Sequence, residues 1–127
     1  MNRPLVLIAE DDDANGLIAE IICNLRGFAP IRVEDGAAAL LALATHEISL
    51  IFMDVRMPVM NGFEAIKLAK NDPRFRHIPL IAVTALAQPA DQKRILAAGA
   101  DGILIKPYTR TRFEELLDRW SASIVMG

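Results

Sequence analysis

Acidic side chains directly follow two apolar segments of this sequence. Glu10 and Asp11 open a run of four acids immediately after Leu5–Ala9, and Asp54 comes directly after residues 51–53. If these segments are neighbouring strands of a sheet, the three carboxylates converge on one small volume. Their repulsion is relieved either by protonation or by a hard cation. Mg²⁺ suits such a site because it binds oxygen ligands and retains several waters, so the spacing predicts a Mg²⁺ site.

Asp12 and Asp13 belong to the same acidic run but favour a simpler interpretation. Both are well solvated in a loop, and either can cap the helix that follows. Asp54 differs because it follows an otherwise apolar segment, where a charge is costly unless something compensates it. We therefore assign Glu10, Asp11 and Asp54 to the predicted metal site and leave the other two to the loop.

Two further apolar segments end in side chains that bind anions. Thr84 closes the segment at residues 80–84 with a hydroxyl, and Lys106 follows residues 103–105 with an ammonium group. A hydroxyl and an ammonium beside a carboxylate cluster can clamp an anion. With a divalent cation they suit phosphoryl transfer, in which positioning and charge neutralisation do most of the catalysis. Carboxylates form aspartyl-phosphates, so Asp54 is the predicted phosphoryl acceptor.

Short apolar segments alternate with amphipathic stretches along the whole chain. Five β-then-α units in series predict a parallel sheet with helices on both faces. In such sheets the binding crevice lies outside the carboxyl ends of the strands, where the acids fall. We predict one doubly wound α/β domain over residues 1–127 with its core at about 5–120. Its predicted strands are 5–9, 31–33, 48–53, 80–84 and 103–105.

The intervening stretches carry apolar side chains at helical spacing. Asn61 and Gly62 can open the third helix, and Pro89 suits the first turn of the fourth. Thr111 followed by Glu114 has the pattern of a capping box for the fifth. The second helix is predicted around residues 37–44. The apolar sides are Leu17, Ile18, Ile21, Ile22 and Leu25 in the first helix, Phe63, Ile66, Leu68 and Ala69 in the third, and Phe113, Leu116, Leu117 and Trp120 in the fifth.

The composition excludes several classes of protein. With 127 residues, 53% of them hydrophobic, the chain suits one globular domain. A net charge of −2 gives no reason to expect nucleic acid or an anionic membrane surface as a partner. No apolar run approaches the roughly 20 residues needed to cross a bilayer. Cys23 is the only cysteine and cannot form an internal disulfide, which favours the reducing cytoplasm.

With these residues placed, the chain resembles the response-regulator receiver domains of two-component signalling from about Leu5 to Trp120. The resemblance implies a flavodoxin-like fold, a five-stranded parallel sheet in the order 2-1-3-4-5 with five flanking helices. The motifs that carry it are Ile8-Ala9-Glu10-Asp11-Asp12, Met53-Asp54-Val55-Arg56-Met57-Pro58, Asn61-Gly62, Val83-Thr84-Ala85 and Ile105-Lys106-Pro107-Tyr108.

The resemblance also implies how the site takes up a phosphoryl group. Asp54 attacks the phosphorus of a phosphohistidine on a histidine kinase or a histidine phosphotransfer protein. Asp11 and Asp54 bind Mg²⁺ through their carboxylates, Glu10 binds it mainly through water, and Arg56 through its backbone carbonyl. Thr84 and Lys106 hold phosphoryl oxygens, helped by backbone N–H groups near Arg56 and Ala85. The bond between Lys106 and Pro107 is expected to be cis, and Gly62 and Pro58 shape the loop after the third strand.

Receivers switch by a population shift of the surface formed by the fourth helix, fifth strand and fifth helix, which binds a downstream protein. Many members couple the counterpart of Thr84 to an aromatic residue on the fifth strand. Ile103 occupies that position here, which leaves open how this chain switches. Arg56 and Leu86 stand two residues beyond Asp54 and Thr84, where they flank the approach of hydrolytic water. We predict that they lengthen the phosphorylated lifetime.

Three functions are compatible with these residues. The first is a stand-alone receiver that binds a partner or relays the phosphoryl group onward, since the chain ends a few residues after Trp120. The second is a Mg²⁺-dependent phosphatase of the haloacid dehalogenase family. That class requires a second Asp where this chain has Arg56, so we do not expect a turnover enzyme. The third is an interaction module that works without phosphorylation, but such modules usually lack one member of the set found here.

Overall fold

Strand and helix alternate in the computed structural model, which describes residues 3–57 and 60–126, with side chains as far as Ser121. Pro58, to which a loop role was assigned, lies outside the described residues. The strands of the described part are β1 (Leu5–Ala9), β2 (Ala29–Val33), β3 (Ile48–Asp54), β4 (Leu80–Thr84) and β5 (Gly102–Ile105). The helices are α1 (Asp13–Leu25), α2 (Gly36–Thr45), α3 (Gly62–Asn71), α4 (Pro89–Ala97) and α5 (Arg110–Met126).

The strands form one parallel sheet in the order β2-β1-β3-β4-β5. Successive strand residues point to opposite faces, so each central strand contributes to two cores. On β1, Leu7 and Ala9 pack with α2, α3 and α4, whereas Val6 and Ile8 pack with α1 and α5. Burial on both faces explains the continuous apolar character of β1, β3 and β4. The predicted doubly wound α/β class and its strand order are confirmed.

The predicted bounds of β1 and β4 are correct, while three other strands are longer than predicted. β2 begins at Ala29 and includes Pro30, which the prediction excluded. β2 is an edge strand that pairs only with β1 in the sheet, and an edge strand tolerates a residue without an N–H group. β3 includes Asp54, which pairs in register with Val83 of β4. β5 begins one residue early, at Gly102, and α2 is one residue longer at each end than predicted.

The predicted cap of the last helix was wrong. The hydroxyl of Thr109 accepts a hydrogen bond from the N–H of Arg112 at 3.1 Å, and α5 begins at Arg110. Thr109 is therefore the capping residue, and Thr111 lies inside the first turn. Glu114 does not close a capping box, because its carboxylate lies 3.2 Å from Nε of Arg110.

The apolar pattern predicted α1 and α3 correctly, and Ile22, Ile66 and Ala69 are buried as predicted, but other side chains assigned to the apolar sides are exposed. α1 packs against the sheet through Gly16, Ala19, Ile22 and Cys23. Leu68 of α3 was assigned to the apolar side but is 51% exposed, because it is rotated about 200° around the helix from buried Ile66. Four of the five predicted α1 side chains are also exposed: Leu17, Ile18, Ile21 and Leu25. None of the helices in the described ranges is long and apolar enough to cross a membrane.

Candidate functional site

The carboxyl ends of β1, β3, β4 and β5 meet at one edge of the sheet. A cleft of about 170 Å³ opens there. Leu86 lines an adjoining cavity of about 670 Å³ together with Asp11 and Arg56. Pro107 lines a third cavity, of about 240 Å³, on the other side. The structure therefore brings together most of the predicted site residues, and the 170 Å³ cleft is lined by Glu10, Asp11, Asp12, Asp54, Arg56, Thr84, Ala85 and Lys106.

Three carboxylates gather in the cleft as the sequence predicted. One oxygen each from Glu10, Asp11 and Asp54 lies within 4.8 Å of the others. Glu10 and Asp54 are each only 5% exposed, whereas Asp11 is exposed to solvent. Burial raises the pKa of Glu10, and the charge of Asp54 adds to the rise, although hydrogen bonds from Lys106 and Asp12 oppose it. Converging oxygen donors with an open, solvated side fit Mg²⁺, which keeps several waters.

Lys106 reaches into the cleft from the end of β5. Its ammonium lies 2.7 Å from Oε1 of Glu10 and also hydrogen-bonds to Oδ2 of Asp54. Burial lowers the pKa of Lys106, but its hydrogen bonds to Asp54 and Glu10 and the charges of these two acids together outweigh burial and leave that pKa raised. The lysine is therefore a firmly protonated counter-charge for both acids. The bond to Pro107 is cis, as the resemblance predicted.

Asp54 ends β3 with both carboxylate oxygens engaged. Oδ1 accepts the N–H of Arg56 at 2.9 Å, while Oδ2 contacts Lys106. Gly62 packs against the backbone of Asp54, and the N–H of Gly62 donates to the carbonyl of Val55 at 3.0 Å. A Cβ atom on Gly62 would lie 1.8 Å from the carbonyl oxygen of Asp54. Any side chain at this position would displace the backbone that carries the predicted acceptor.

Thr84 lies at the end of β4 and is 2% exposed. Its Oγ1 accepts the N–H of Leu86 at 2.9 Å, and its carbonyl accepts the N–H of Lys106 at 2.8 Å. The hydroxyl is thus held at the cleft and linked to the start of the β4–α4 loop. This arrangement leaves its proton free to donate to an anion.

Asp12 caps α1, as predicted, by accepting the N–H of Asn15 at 2.9 Å. Ile103 packs on the sheet face covered by α2, α3 and α4, whereas Tyr108 packs with Phe113 on the opposite face. Tyr108 therefore lies on the opposite face of the sheet from Ile103. The sequence did not predict a role for Arg32 at the site, because a charged residue on an edge strand is ordinarily solvated. In the structure its guanidinium group donates a hydrogen bond to the carbonyl of Glu10.

The profile of the response regulator receiver domain matches residues 6–118. The chain belongs to that family, and is therefore a receiver domain of two-component signalling and a signalling switch rather than a turnover enzyme. It is 37% identical over 112 residues to the polar-differentiation response regulator DivK of Brucella anthropi, covering 88% of this chain and 91% of DivK.

Solved structures show the same fold. The chemotaxis response regulator CheY4 of Vibrio cholerae matches with a TM-score of 0.88 and 26% identity, covering 94% of this chain and 99% of CheY4. The receiver domain of the sensor histidine kinase PA1611 of Pseudomonas aeruginosa PAO1 matches with a TM-score of 0.85 and 30% identity, covering 93% of this chain and 97% of that domain. That receiver has a magnesium ion coordinated in its active-site cleft.

Proposed function

We propose that residues 1–127 act as one receiver domain in which Asp54 accepts a phosphoryl group from a phosphohistidine of a histidine kinase or histidine phosphotransfer protein. The observation that carries the proposal is a nearly buried carboxylate that shares one cleft with two further acids, a hydroxyl and an ammonium group. The proposal includes Mg²⁺ as cofactor, held by Glu10, Asp11, Asp54 and the backbone carbonyl of Arg56.

In the proposed reaction a carboxylate oxygen of Asp54 attacks phosphorus, the P–N bond to the donor imidazole breaks, and an acyl phosphate forms. When bound, Mg²⁺ supplies positive charge to the phosphoryl oxygens. The ammonium group of Lys106 moves from the carboxylate of Asp54 to a phosphoryl oxygen. That oxygen is within its reach because Lys106 and Asp54 line the same cleft. Thr84 donates its hydroxyl proton to another oxygen, and backbone N–H groups near Arg56 and Ala85 bind the remaining charge.

We infer that the phosphoryl signal leaves the site through Thr84. Because its hydroxyl also binds the N–H of Leu86, a movement of Thr84 toward the phosphoryl group pulls on the β4–α4 loop. Ile103 has no hydroxyl and cannot make the rotamer switch of a tyrosine. The proposed output is the α4-β5-α5 surface, which binds a downstream protein or takes part in onward relay. We place the protein in the cytoplasm and propose no nucleic-acid partner and no membrane insertion.

Labelling with a small phosphodonor tests the proposal. We expect the wild type to gain one phosphoryl group when incubated with acetyl phosphate and Mg²⁺, and peptide mass spectrometry to locate it at Asp54. Asp54→Asn should remain unlabelled, and Asp11→Asn should label much more slowly because it loses a metal ligand. Asp35→Asn is the matched control, since Asp35 caps α2, Asn also caps helices, and Asp35 lies outside both the carboxylate cluster and the cleft. Labelling of another residue, or Mg²⁺ binding without any labelling, would overturn the proposal.

A further inference from the structure

Arg32 of β2 contacts both ends of the segment from Glu10 to Asp13, which includes Asp11. Its Nε donates a hydrogen bond to the carbonyl oxygen of Glu10 at 3.1 Å. Its Nη2 lies 2.8 Å from Oδ1 of Asp13 in the first turn of α1 and 3.6 Å from Oε1 of Glu34. The Arg32 side chain is only 17% exposed. One guanidinium group thus connects β2 with the end of β1 and the start of α1.

Gly16 provides the space in which this guanidinium lies. A Cβ atom at position 16 would come within 2.2 Å of Nε, 2.6 Å of Cδ and 2.8 Å of Cζ of Arg32. Glycine is disfavoured inside a helix relative to alanine, yet Gly16 is buried within α1. The close approach of Arg32 is a physical reason for glycine at this position. Gly16 and Arg32 therefore fit one another as a pair.

β2 holds the backbone of Glu10 through both of its polar groups. The N–H of Glu10 donates to the carbonyl of Val33 at 3.0 Å, and its carbonyl accepts from Arg32. That carbonyl belongs to the peptide unit between Glu10 and Asp11. Since the peptide unit is planar, a hydrogen bond to its carbonyl restricts the rotation of the unit that joins the two Cα atoms carrying the carboxylate side chains. Arg32 supplies that hydrogen bond.

We propose that Arg32, seated on Gly16, is a positioning residue that holds Glu10 and Asp11 in the arrangement that binds Mg²⁺. This inference rests on the Mg²⁺ site of the proposed receiver function. A through-space effect of the Arg32 charge would act in the opposite direction, because a cation beside the cluster repels a divalent ion. Removal of Arg32 therefore weakens Mg²⁺ binding if it positions the loop and strengthens it if only its charge matters.

Calorimetric titration with Mg²⁺ separates the two effects. Substitution of a residue that orients metal ligands commonly weakens metal binding about 10- to 100-fold. We therefore expect Arg32→Ala to bind Mg²⁺ about tenfold more weakly than the wild type. Gly16→Ala keeps every charge but displaces the guanidinium, and we expect a loss of similar size. The double variant should bind no more weakly than Arg32→Ala, because the methyl group added in α1 then meets no guanidinium. Arg32→Lys, which keeps the charge but not the planar Nε–H donor, should also bind more weakly.

Two control variants make the outcomes distinct. Glu34→Gln should bind Mg²⁺ like the wild type, because Glu34 contacts Arg32 only at 3.6 Å. Asp11→Asn should abolish binding and so verifies the site. If Arg32→Lys and Gly16→Ala stay folded and bind Mg²⁺ as tightly as the wild type, while Asp11→Asn does not bind, the positioning role is overturned and the proposed function stands. Absent binding by the wild type, or undiminished binding by Asp11→Asn, overturns the metal site and the inference together.

Discussion

Glu10 and Asp54 are almost completely buried, and their charges would repel one another without a nearby cation. Lys106 supplies that cation by bonding to both carboxylates. The same ammonium group is proposed to bind the incoming phosphoryl group, so it must leave at least one carboxylate when phosphorylation occurs. In the proposed function, a metal ion on the carboxylate cluster would compensate for that departure. Lys106 and Mg²⁺ are then alternative counter-charges for the same acids.

Lys106→Met tests this exchange of counter-charges because it keeps much of the apolar stem and removes the charge. In metal-free buffer we expect a loss of about 1–3 kcal/mol in the free energy of unfolding, the usual result of leaving a buried polar group unpaired. Mg²⁺ should then stabilise the variant more than it stabilises the wild type. Denaturant unfolding with and without Mg²⁺ measures both effects, with exposed Lys93→Met as the control. Equal stabilisation of variant and wild type by Mg²⁺ would contradict the prediction.

Arg56 and Leu86 line the cavity that adjoins the cleft, beside exposed Asp11. The family resemblance predicts that both side chains flank the approach of water to a phosphoryl group on Asp54. We expect Arg56→Asn and Leu86→Ala each to speed phosphate release by about threefold, which corresponds to about 0.65 kcal/mol in activation free energy. The measurement is the decay of labelled protein after the donor is removed. Release rates equal to that of the wild type would remove the shielding role.

Four helices, α1, α2, α3 and α5, begin after a residue whose side chain accepts a backbone N–H group, whereas α4 begins after Gln88 without a side-chain cap. Asp12, Asp35 and Asn61 cap α1, α2 and α3 in this way. Thr109 does the same for α5, one turn after the strand that delivers Lys106. Each cap fixes where a helix begins and so sets the length of the loop that lies beside the cleft. A cap therefore contributes to the site without touching it.

The cap of α5 can be tested by comparing substitutions of Thr109 and Thr111, which lie two positions apart in the chain. Thr109→Ala should lower the free energy of unfolding by about 1 kcal/mol, because the N–H of Arg112 loses its acceptor. Thr111→Ala should change it by less than about 0.5 kcal/mol, as expected for an exposed side chain without such a role. Denaturant unfolding of both variants gives the comparison. A larger loss for Thr111→Ala would restore the capping box that the sequence suggested.

Across the whole molecule the sheet separates two apolar cores. Cys23 of α1 lies in the core that α1 and α5 form against the sheet, and it has no exposed surface. Burial raises the pKa of the Cys23 thiol from 9.0 to about 12. A thiol needs to ionise to react as a nucleophile, and a buried one also needs the fold to open. The reactivity of Cys23 is therefore a probe of opening of the whole domain.

Thiol labelling checks the burial of Cys23 at neutral and alkaline pH. At about pH 8 we expect folded protein to react far more slowly than protein in denaturant, with a rate that follows the open population. Between pH 9 and 12 the unfolded thiol loses its proton while the folded one keeps it, so this group's contribution to stability falls as pH rises. Cys23→Ala should lack that part of the pH dependence. Rapid labelling of folded protein near neutral pH would show that the core is open there.

Several features followed from the sequence together with the general geometry of parallel sheets. The bounds of β1 and β4 were predicted correctly because buried parallel strands are continuous apolar runs. The approach of Glu10, Asp11 and Asp54 was predicted because parallel strands end at the same edge of a sheet. A cap at Asp12 or Asp13 was predicted because aspartate readily accepts helical N–H groups, and Asp12 forms it. The strand bounds and the cap each depend on one short segment, whereas the approach of the acids also depends on β1 and β3 being neighbours in the sheet.

Other features depended on contacts between segments far apart in the chain. The apolar pattern of α1 indicated a helix but not its rotation, so exposed Leu17 and Leu25 were unexpected. Lys106 and Asp54 are separated by 52 positions, and Arg32 and Glu10 by 22. Whether such groups meet depends on how strands and helices pack together, and on whether a neighbour such as Gly16 leaves room. The sequence by itself therefore determined which acidic and cationic groups lie at the edge of the sheet. Only the tertiary structure decided which side chains contact these groups and hold them in place, because those contacts depend on how distant segments pack.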